Sequence, residues 1–153
     1  MKIKIIAIGK TEEKYIEEGM AVYFNRIQKY LPVTLETPQI KAAKHTEQKR
    51  SEADTILNKL KREDYLILLD EKGKATSSIE FSSLIQNLQN QSKKQLVFLI
   101  GGAYGFDESI YQRADYKLSL SKMTFPHQLV RLIFMEQLYR AFSILHREPY
   151  HHS

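Results

Sequence analysis

The 153-residue sequence contains no cysteine. This absence excludes disulfides, thiolate nucleophiles and metal sites with cysteine ligands. The sequence also lacks any run of about 20 apolar residues, the length that a membrane-spanning helix needs. We therefore expect no membrane association, and a soluble protein of the cytoplasm.

Several common kinds of site are missing as well. The sequence contains neither a Gly-x-Gly-x-x-Gly loop nor a Walker loop with its lysine and serine. No Ser-His-Asp order and no pattern of paired carboxylates stands out. The histidines have no cysteine or acidic partner at ligand spacing, so we expect no metal site. A transferase that positions an activated donor against its acceptor needs none of these groups.

Basic residues outnumber acidic ones, with 23 lysines and arginines against 18 aspartates and glutamates and a net charge of +5. This balance permits a polyanionic partner without requiring one. The excess is concentrated between Ile40 and Arg62, where the basic residues are Lys41, Lys44, Lys49, Arg50, Lys59, Lys61 and Arg62. Two interpretations stay open for this segment: a solvated helix face with its loop, or a surface that contacts phosphates.

Apolar periodicity predicts strands that alternate with helices. Strands are expected at 2–9, 33–37, 65–69, 96–100 and 116–119. Helices are expected at 12–30 with Thr11 as cap, at 51–61, from Ser77 or Ser78 to 91, at 108–113 and at 126–146. We predict a mobile loop at 40–49 and a turn at 70–74. This order indicates one α/β domain over residues 1–153, with a mainly parallel sheet flanked by helices.

Two loops follow predicted strands and precede predicted helices. The first, 101–105, contains three glycines, which permit a close approach of backbone to a ligand. The second, 118–127, is rich in hydroxyl groups and enters the last helix through Pro126, with Thr124 at a capping position. Together they suggest a site for a small polar ligand. A tight turn and an ordinary capped helix, with no ligand at all, are the alternative.

The last predicted helix is apolar almost all round, which is typical of a helix buried in a core or in an oligomer interface. We expect both, with part of it covered by a second subunit. Glu136 and Arg140 are four residues apart, so an ion pair is expected between them. In the tail, Tyr150 and His151 suit stacking and hydrogen bonding at the edge of an active site, unless the tail is disordered.

Five segments in order resemble one known family: 69–74, 97–107, 118–131, 136–141 and 149–151. Together they closely resemble the bacterial ribosomal large-subunit pseudouridine methyltransferase H family, which belongs to the SPOUT methyltransferases. The likeness covers the full length of the chain. It implies an α/β fold whose C-terminal part is a trefoil knot, an exception to the usual rules of topology. It also implies a homodimer that binds S-adenosyl-L-methionine in the loops of the knot.

The resemblance further implies methylation at N3 of a pseudouridine in helix 69 of 23S rRNA, in the assembled 70S ribosome. Carried onto this sequence, the cofactor site comprises Leu69, Gly101, Gly102, Leu120, Ser121, Lys122, Met123, Thr124, Phe125 and His127. Arg140, Tyr150 and His151 are implied in substrate placement and proton handling, as catalytic residues. Lys122 and Arg131 are candidates for steadying phosphate or base.

The sequence departs from many members of this family at one position. His152 follows the Tyr-His pair where those relatives carry a basic residue, so a permanent charge is replaced by a pH-dependent one. Two other functions stay open: a ribosome-binding or assembly factor that has lost catalysis, and a SPOUT methyltransferase that acts on another RNA.

Overall fold

The computed structural model describes residues 1–41, 44–102 and 104–152. Within these ranges strands and helices alternate, as the periodicity predicts. The elements are β1 (Lys2–Ala7), α1 (Lys14–Ile27), β2 (Val33–Glu36), α2 (His45–Lys59), β3 (Tyr65–Ala75), α3 (Ser78–Asn90), β4 (Gln95–Ile100), α4 (Glu108–Arg113), β5 (Tyr116–Ser119) and α5 (Leu129–Leu145).

The strands form one parallel sheet in the order β2-β1-β4-β3-β5. In its centre, Ile5 of β1 is paired with Leu35 of β2 on one side and with Phe98 of β4 on the other. Because all strands run in the same direction, their carboxyl ends lie at one edge of the sheet. The loops that the sequence singled out, after β4 and after β5, therefore meet at that edge, where α/β proteins bind their ligands.

Both faces of the sheet are covered by helices. Residues such as Ile5 and Phe98 pack in a core with α1, α3 and α5, while Ile6 and Val97 pack in a second core with α2 and α4. Successive strand residues point to opposite faces, so a strand between two helical layers must be apolar at every position. This explains the uninterrupted apolar runs of β3 and β4.

The predicted cap of the first helix is wrong. Helix α1 begins at Lys14, with Glu13 as its N-cap and no side-chain capping bond. Thr11 is instead buried, where its hydroxyl donates to the Met20 sulfur and accepts from the Arg131 guanidinium. A threonine near a helix start resembles a cap in the sequence, but a partner 120 residues away determines its role here.

The predicted mobile loop at 40–49 is also wrong in its second half, because α2 begins at His45. Residues 42 and 43 of that segment lie outside the described ranges. The first turns of α2 carry little apolar periodicity, and its buried residues, Ala53 and Ile56, come only later. Packing of that later part on the sheet stabilises the helix, which a local pattern does not reveal.

The predicted turn at 70–74 belongs to β3, which continues to Ala75. Leu118 of β5 is paired with both Leu69 and Lys74, so residues 70–73 leave the ladder and rejoin it. Gly73 lies against the backbone of β5 at this point. A β-carbon at Gly73 would be 2.7 Å from the carbonyl carbon and oxygen of Lys117.

The start of the last helix differs from the prediction too. Regular α5 begins at Leu129, and its N-cap is Gln128 without a side-chain bond, so Thr124 does not cap it. Pro126 nevertheless lies in the first turn, since its carbonyl accepts from the amide of Val130. The capping residue Ser77 of α3 is confirmed by its bond from the amide of Glu80.

Replacing Gly73 by alanine is expected to lower the free energy of unfolding by about 2 kcal/mol, because a methyl group pressed on a backbone cannot be relieved by a side-chain rotation. Urea unfolding measures the change. The matched control is Gly102→Ala, where a β-carbon would meet no atom within 4 Å. Equal stability of the two variants would contradict a close contact between β3 and β5.

Candidate functional site

A cavity of about 430 Å³ lies at the carboxyl edge of the sheet, within the size range of small-molecule sites. Three chain segments enclose it: the middle of β3, where the strand leaves its ladder with β5, the loop after β4 and the loop after β5. Its wall consists of Leu69, Asp70, Glu71, Ile100, Gly101, Gly102, Gly105, Phe106, Tyr111, Leu118, Ser119, Leu120, Ser121, Met123, Thr124, Phe125, His127 and Val130.

The loop after β5 has its shape fixed by its own hydroxyl groups. Ser119 Oγ donates to the carbonyl of Ser121 at 2.9 Å, and Ser121 Oγ accepts from the amide of Met123 at 2.9 Å. These serines therefore stabilise the turn, which leaves backbone and apolar groups to face the cavity. Leu120 and Phe125, which are half-buried, are two of those apolar groups.

The charge of the wall restricts the class of ligand. Asp70 and Glu71 lie in β3 where it leaves the ladder with β5, and among the described wall residues there is no lysine or arginine. Burial and the neighbouring Asp70 raise the pKa of Tyr111 to about 12, so its hydroxyl stays protonated at neutral pH. A wall of this kind suits a neutral or cationic ligand, whereas phosphate groups are usually bound by arginine, lysine or a glycine-rich helix start.

The structure brings together nine of the ten residues that the sequence assigned to a cofactor. Leu69, Gly101, Gly102, Leu120, Ser121, Met123, Thr124, Phe125 and His127 all line the cavity. Lys122 is exposed and is not part of the wall. The sequence reading missed Asp70, Glu71 and Tyr111. The acidic pair stands directly after the apolar run of β3, which was a usable signal, whereas Tyr111 is placed by the packing of α4.

The three predicted catalytic residues form a second group, on α5 and the tail. Arg140 donates from Nε to Glu136 Oε1 at 2.9 Å, which confirms the expected ion pair, and its Nη1 lies 3.0 Å from His151 Nδ1. Tyr150 donates its hydroxyl to the same Glu136 oxygen at 3.0 Å, and its ring lies 4.8 Å from the Arg140 guanidinium carbon. We call these four residues the tail cluster.

Protonation within the tail cluster follows from these contacts. A guanidinium has only donors, so His151 Nδ1 accepts from Arg140 and the neutral ring carries its proton on Nε2. The hydrogen bond to Glu136 raises the pKa of Arg140. Burial, with hydrogen bonds to Tyr23 and Glu136, raises the pKa of Tyr150. The cluster therefore presents the Arg140 cation and the Nε2–H of His151 as donors, while the Glu136 carboxylate accepts from Arg140, Tyr150 and Gln137.

The tail cluster and the cavity are separate in one chain. None of Glu136, Arg140, Tyr150 and His151 is among the described residues that line the cavity. The structure thus brings the predicted cofactor residues together, and the predicted catalytic residues together, at two different places. A reaction that uses both would require them to meet.

Arg131 does not contact solvent, which contradicts its expected role in steadying phosphate or base. Its side chain is fully buried at the start of α5. Nη2 donates to the carbonyl of Ile8 at 2.6 Å, and Nη1 donates to the carbonyl of Gly9 at 2.8 Å and to Thr11 Oγ1 at 2.9 Å. Burial lowers the pKa of this guanidinium. Arg131 fixes the loop between β1 and α1 to the helix that follows the cavity.

Replacing Arg131 by methionine is expected to lower the free energy of unfolding by about 3 kcal/mol, because two carbonyls and a hydroxyl lose a charged donor. Arg131→Lys keeps the charge but not the planar fork, so we expect about half that loss. Chemical denaturation at a fixed protein concentration measures both. A methionine variant as stable as the wild type would show that these bonds contribute nothing net.

Two kinds of feature are absent from the described part of the chain. No helix there combines the length and apolar character required to cross a membrane. Likewise, residues 1–41, 44–102 and 104–152 contain no group of three or more histidine, cysteine or acidic side chains arranged to hold a metal ion.

Comparison with known proteins finds relatives along almost the whole chain. A family model described as "Predicted SPOUT methyltransferase" matches residues 1–151. A protein of Christiangramia forsetii named "Ribosomal RNA large subunit methyltransferase H" is 50% identical over 156 residues, which cover 99% of each chain. Proteins of the same name from Parabacteroides distasonis and Flavobacterium johnsoniae are 49% and 52% identical, with the same coverage.

Proposed function

We propose, on the premise that this chain belongs to the SPOUT methyltransferase family, that it transfers a methyl group from S-adenosyl-L-methionine to large-subunit ribosomal RNA. The observation that carries this proposal is the cavity at the carboxyl edge of the sheet, together with relatives of about 50% identity that are named for this activity. An intact ligand cavity favours an enzyme over an assembly factor that has lost catalysis, because such a factor has no need of one.

The wall of the cavity fits this cofactor. S-adenosyl-L-methionine contains no phosphate and carries a positive sulfonium, which agrees with a wall that holds Asp70 and Glu71 and, among its described residues, neither lysine nor arginine. Gly102 faces open space in the cavity, so its backbone is accessible to a planar ring. We propose that Leu69, Leu120 and Phe125 supply apolar walls for the adenosine. When bound, the cofactor supplies an electrophilic methyl group.

The acceptor that we propose is N3 of a pseudouridine in helix 69 of 23S rRNA, in the assembled 70S ribosome. The named relatives support an RNA of the large subunit, and the family resemblance supports the particular nucleotide. A ribosomal substrate also implies action in the cytoplasm. The net charge of +5 agrees with a polyanionic partner.

The tail cluster is suited to stabilise the acceptor as it loses its proton. N3 of pseudouridine is an imide nitrogen, and its two flanking carbonyl oxygens gain negative charge when N3 is deprotonated. The Arg140 cation and the Nε2–H of His151 are donors that favour this charge, and the Tyr150 ring offers a surface for the base. We propose that the cluster acts in this way, and not as the group that takes the proton.

We propose that the protein acts as a homodimer, since the tail cluster and the cavity are separate in one chain. The dimer would bring the cluster of one protomer to the cavity of its partner. An apolar surface on α1 supports such an interface: Tyr15 and Val22 are 62% and 47% exposed. They flank Gly19, where a β-carbon would be 2.7 Å from Leu132 of α5. The residues of α5 are all buried or half-buried in one chain. We therefore propose that the exposed apolar residues of α1 contribute to the interface.

We further propose that the chain forms a trefoil knot at its C-terminal part, within one domain. The match of residues 1–151 to the SPOUT methyltransferase family supports this proposal, because the family resemblance implies a knot there. The three segments that enclose the cavity would then belong to the knot.

Calorimetric titration with S-adenosyl-L-methionine tests the enzymatic proposal. We expect one site per protomer, with saturation well below millimolar ligand. Absence of binding at millimolar concentration would contradict the proposal and favour the non-catalytic factor. Binding without methylation of ribosomes would favour a related enzyme that acts on another RNA.

A further inference from the structure

A second cavity of about 290 Å³ adjoins the first at the carboxyl end of β1. Gly102 and His127 line both cavities, so the two are neighbours that share a wall. Hydrogen bonds fix the rim of the second cavity. Gln128 accepts from the amide of Glu12 at 2.9 Å and donates to the carbonyl of Lys10 at 3.2 Å. The buried Arg131 donates to the carbonyl of Gly9. Apart from Gly102 and His127, the residues that line the second cavity are not part of the proposed cofactor site.

An aromatic pair stands at this cavity. The rings of His45 and Tyr104 stack with centroids 3.8 Å apart and planes inclined by 27°. Both residues line the cavity, and Tyr104 is 52% exposed. Because Tyr104 stacks with His45 and about half of its surface is exposed, a further flat ring can stack on it. Unpaired nucleobases bind in this manner on aromatic side chains.

Charges of both signs line the same cavity, whose wall includes Lys10, Glu12 and Glu52. Helix α2 occupies most of the basic segment 40–62, and its 15 residues span about 22 Å, so the two ends of the segment lie far apart. His45, at the start of α2, lines the cavity, and Lys49 and Arg50 follow about one turn later in the same helix.

We propose that the second cavity binds an unpaired nucleobase of the RNA strand, next to the nucleotide that is methylated, by stacking on Tyr104. This inference rests on the proposed function. A methyl acceptor must reach the cofactor cavity, so the strand that carries it must continue across the adjoining surface. The second cavity offers what a base requires there: the aromatic face of Tyr104, the polar side chains of Gln48 and Gln128, and Lys10 as a cation for a phosphate.

The chemistry of the cavity distinguishes a base from other occupants. Its lining is mostly polar, with Lys10, Glu12, Gln48 and Glu52 around the aromatic pair, so it does not suit an apolar helix of a protein partner. A free anion would have to lie beside Glu12 and Glu52, whereas a base is neutral and its phosphates can lie outside the wall. The charges therefore favour a nucleotide of a strand over an isolated ion.

The test compares three proteins: wild type, Tyr104→Phe and Tyr104→Leu. Phenylalanine keeps the aromatic face, and leucine keeps apolar bulk without it. We expect Tyr104→Leu to weaken binding to 70S ribosomes from methylation-deficient cells about tenfold, since one stacked base contributes about 1–3 kcal/mol. Tyr104→Phe should bind within about twofold of the wild type, because it preserves that stacking. Co-sedimentation measures ribosome binding, and calorimetry measures S-adenosyl-L-methionine affinity, which should be equal in all three.

Four outcomes would contradict the stacked base, the proposed function or both. Equal ribosome affinity of the leucine and phenylalanine variants would overturn the stacked base, even if methyl transfer is intact. Loss of cofactor affinity in Tyr104→Leu would also overturn it, because Tyr104 would then serve the first cavity. If the wild type binds ribosomes but transfers no methyl group, the proposed function fails, and the comparison of ribosome binding still decides this inference. A wild type that binds no ribosomes would overturn both.

Discussion

Replacing Gly102 by phenylalanine is expected to weaken the binding of S-adenosyl-L-methionine at least about 100-fold, because an inserted side chain that overpacks a site costs about 3 kcal/mol. A β-carbon at Gly102 would meet no protein atom within 4 Å, and the space beside it is that of the two cavities. The new ring would therefore occupy the place of the ligand, and not that of another part of the protein. Isothermal titration calorimetry measures the loss.

The same open space gives this experiment its internal controls. Gly102→Ala adds only a methyl group and should weaken binding about fivefold. The free energy of unfolding of both variants should stay within about 0.5 kcal/mol of the wild type, as is usual for substitutions that touch no packed group. If Gly102→Phe instead loses stability or its dimer, the loop has a structural role. If it binds the cofactor normally, the first cavity is not the cofactor site.

Replacing Arg140 by alanine is expected to lower the kcat of methyl transfer about 100-fold while the affinity for S-adenosyl-L-methionine is unchanged, because one preorganised donor to developing negative charge contributes this much. Arg140 also holds His151 Nδ1, at 3.0 Å, and it pairs with Glu136. Its loss therefore removes the cation and frees His151. Steady-state kinetics with ribosomes from methylation-deficient cells measures the effect.

One further variant distinguishes charge from geometry at Arg140, and a second, at a distant arginine, is a control. Arg140→Lys keeps the cation but cannot bond Glu136 and His151 with one planar group, so we expect a loss of about tenfold. Arg62→Ala removes an exposed arginine that precedes β3, at the opposite edge of the sheet, and should retain full activity. A normal kcat for Arg140→Ala would remove the tail cluster from the chemistry. A loss that appears only in cofactor affinity would assign Arg140 to binding.

The sequence predicted the fold well wherever local pattern and burial agree. The apolar runs of β3 and β4 are buried on both faces, and that burial is what makes them apolar throughout. The errors arose where a distant contact determines the structure. The continuation of β3 beyond Asp70 depends on pairing with β5, and the start of α2 at His45 depends on packing by residues later in that helix.

The sequence predicted which loops form the site better than it predicted which side chains line it. Glycines and hydroxyl residues after two strands indicated the loops, and the parallel sheet brings those loops together at the cavity. Arg131 was misread because a charged residue beside a loop suggests a ligand contact. Its position inside an apolar stretch of α5 was the better signal, since a buried arginine needs carbonyl partners such as those of Ile8 and Gly9. The second cavity had no signal, because Tyr104 and His45 meet only in the folded chain.

We propose that this protein methylates N3 of a pseudouridine in helix 69 of 23S rRNA, and one measurement tests this proposal most directly. This measurement incubates the purified protein and S-adenosyl-L-methionine with 70S ribosomes from cells in which the gene is deleted, and maps the RNA fragments by mass spectrometry. We predict that one pseudouridine of helix 69 gains a single methyl group at N3, and that Gly102→Phe leaves it unmodified. An unmodified helix 69 with the wild-type protein, under conditions in which the cofactor is bound, would contradict the account.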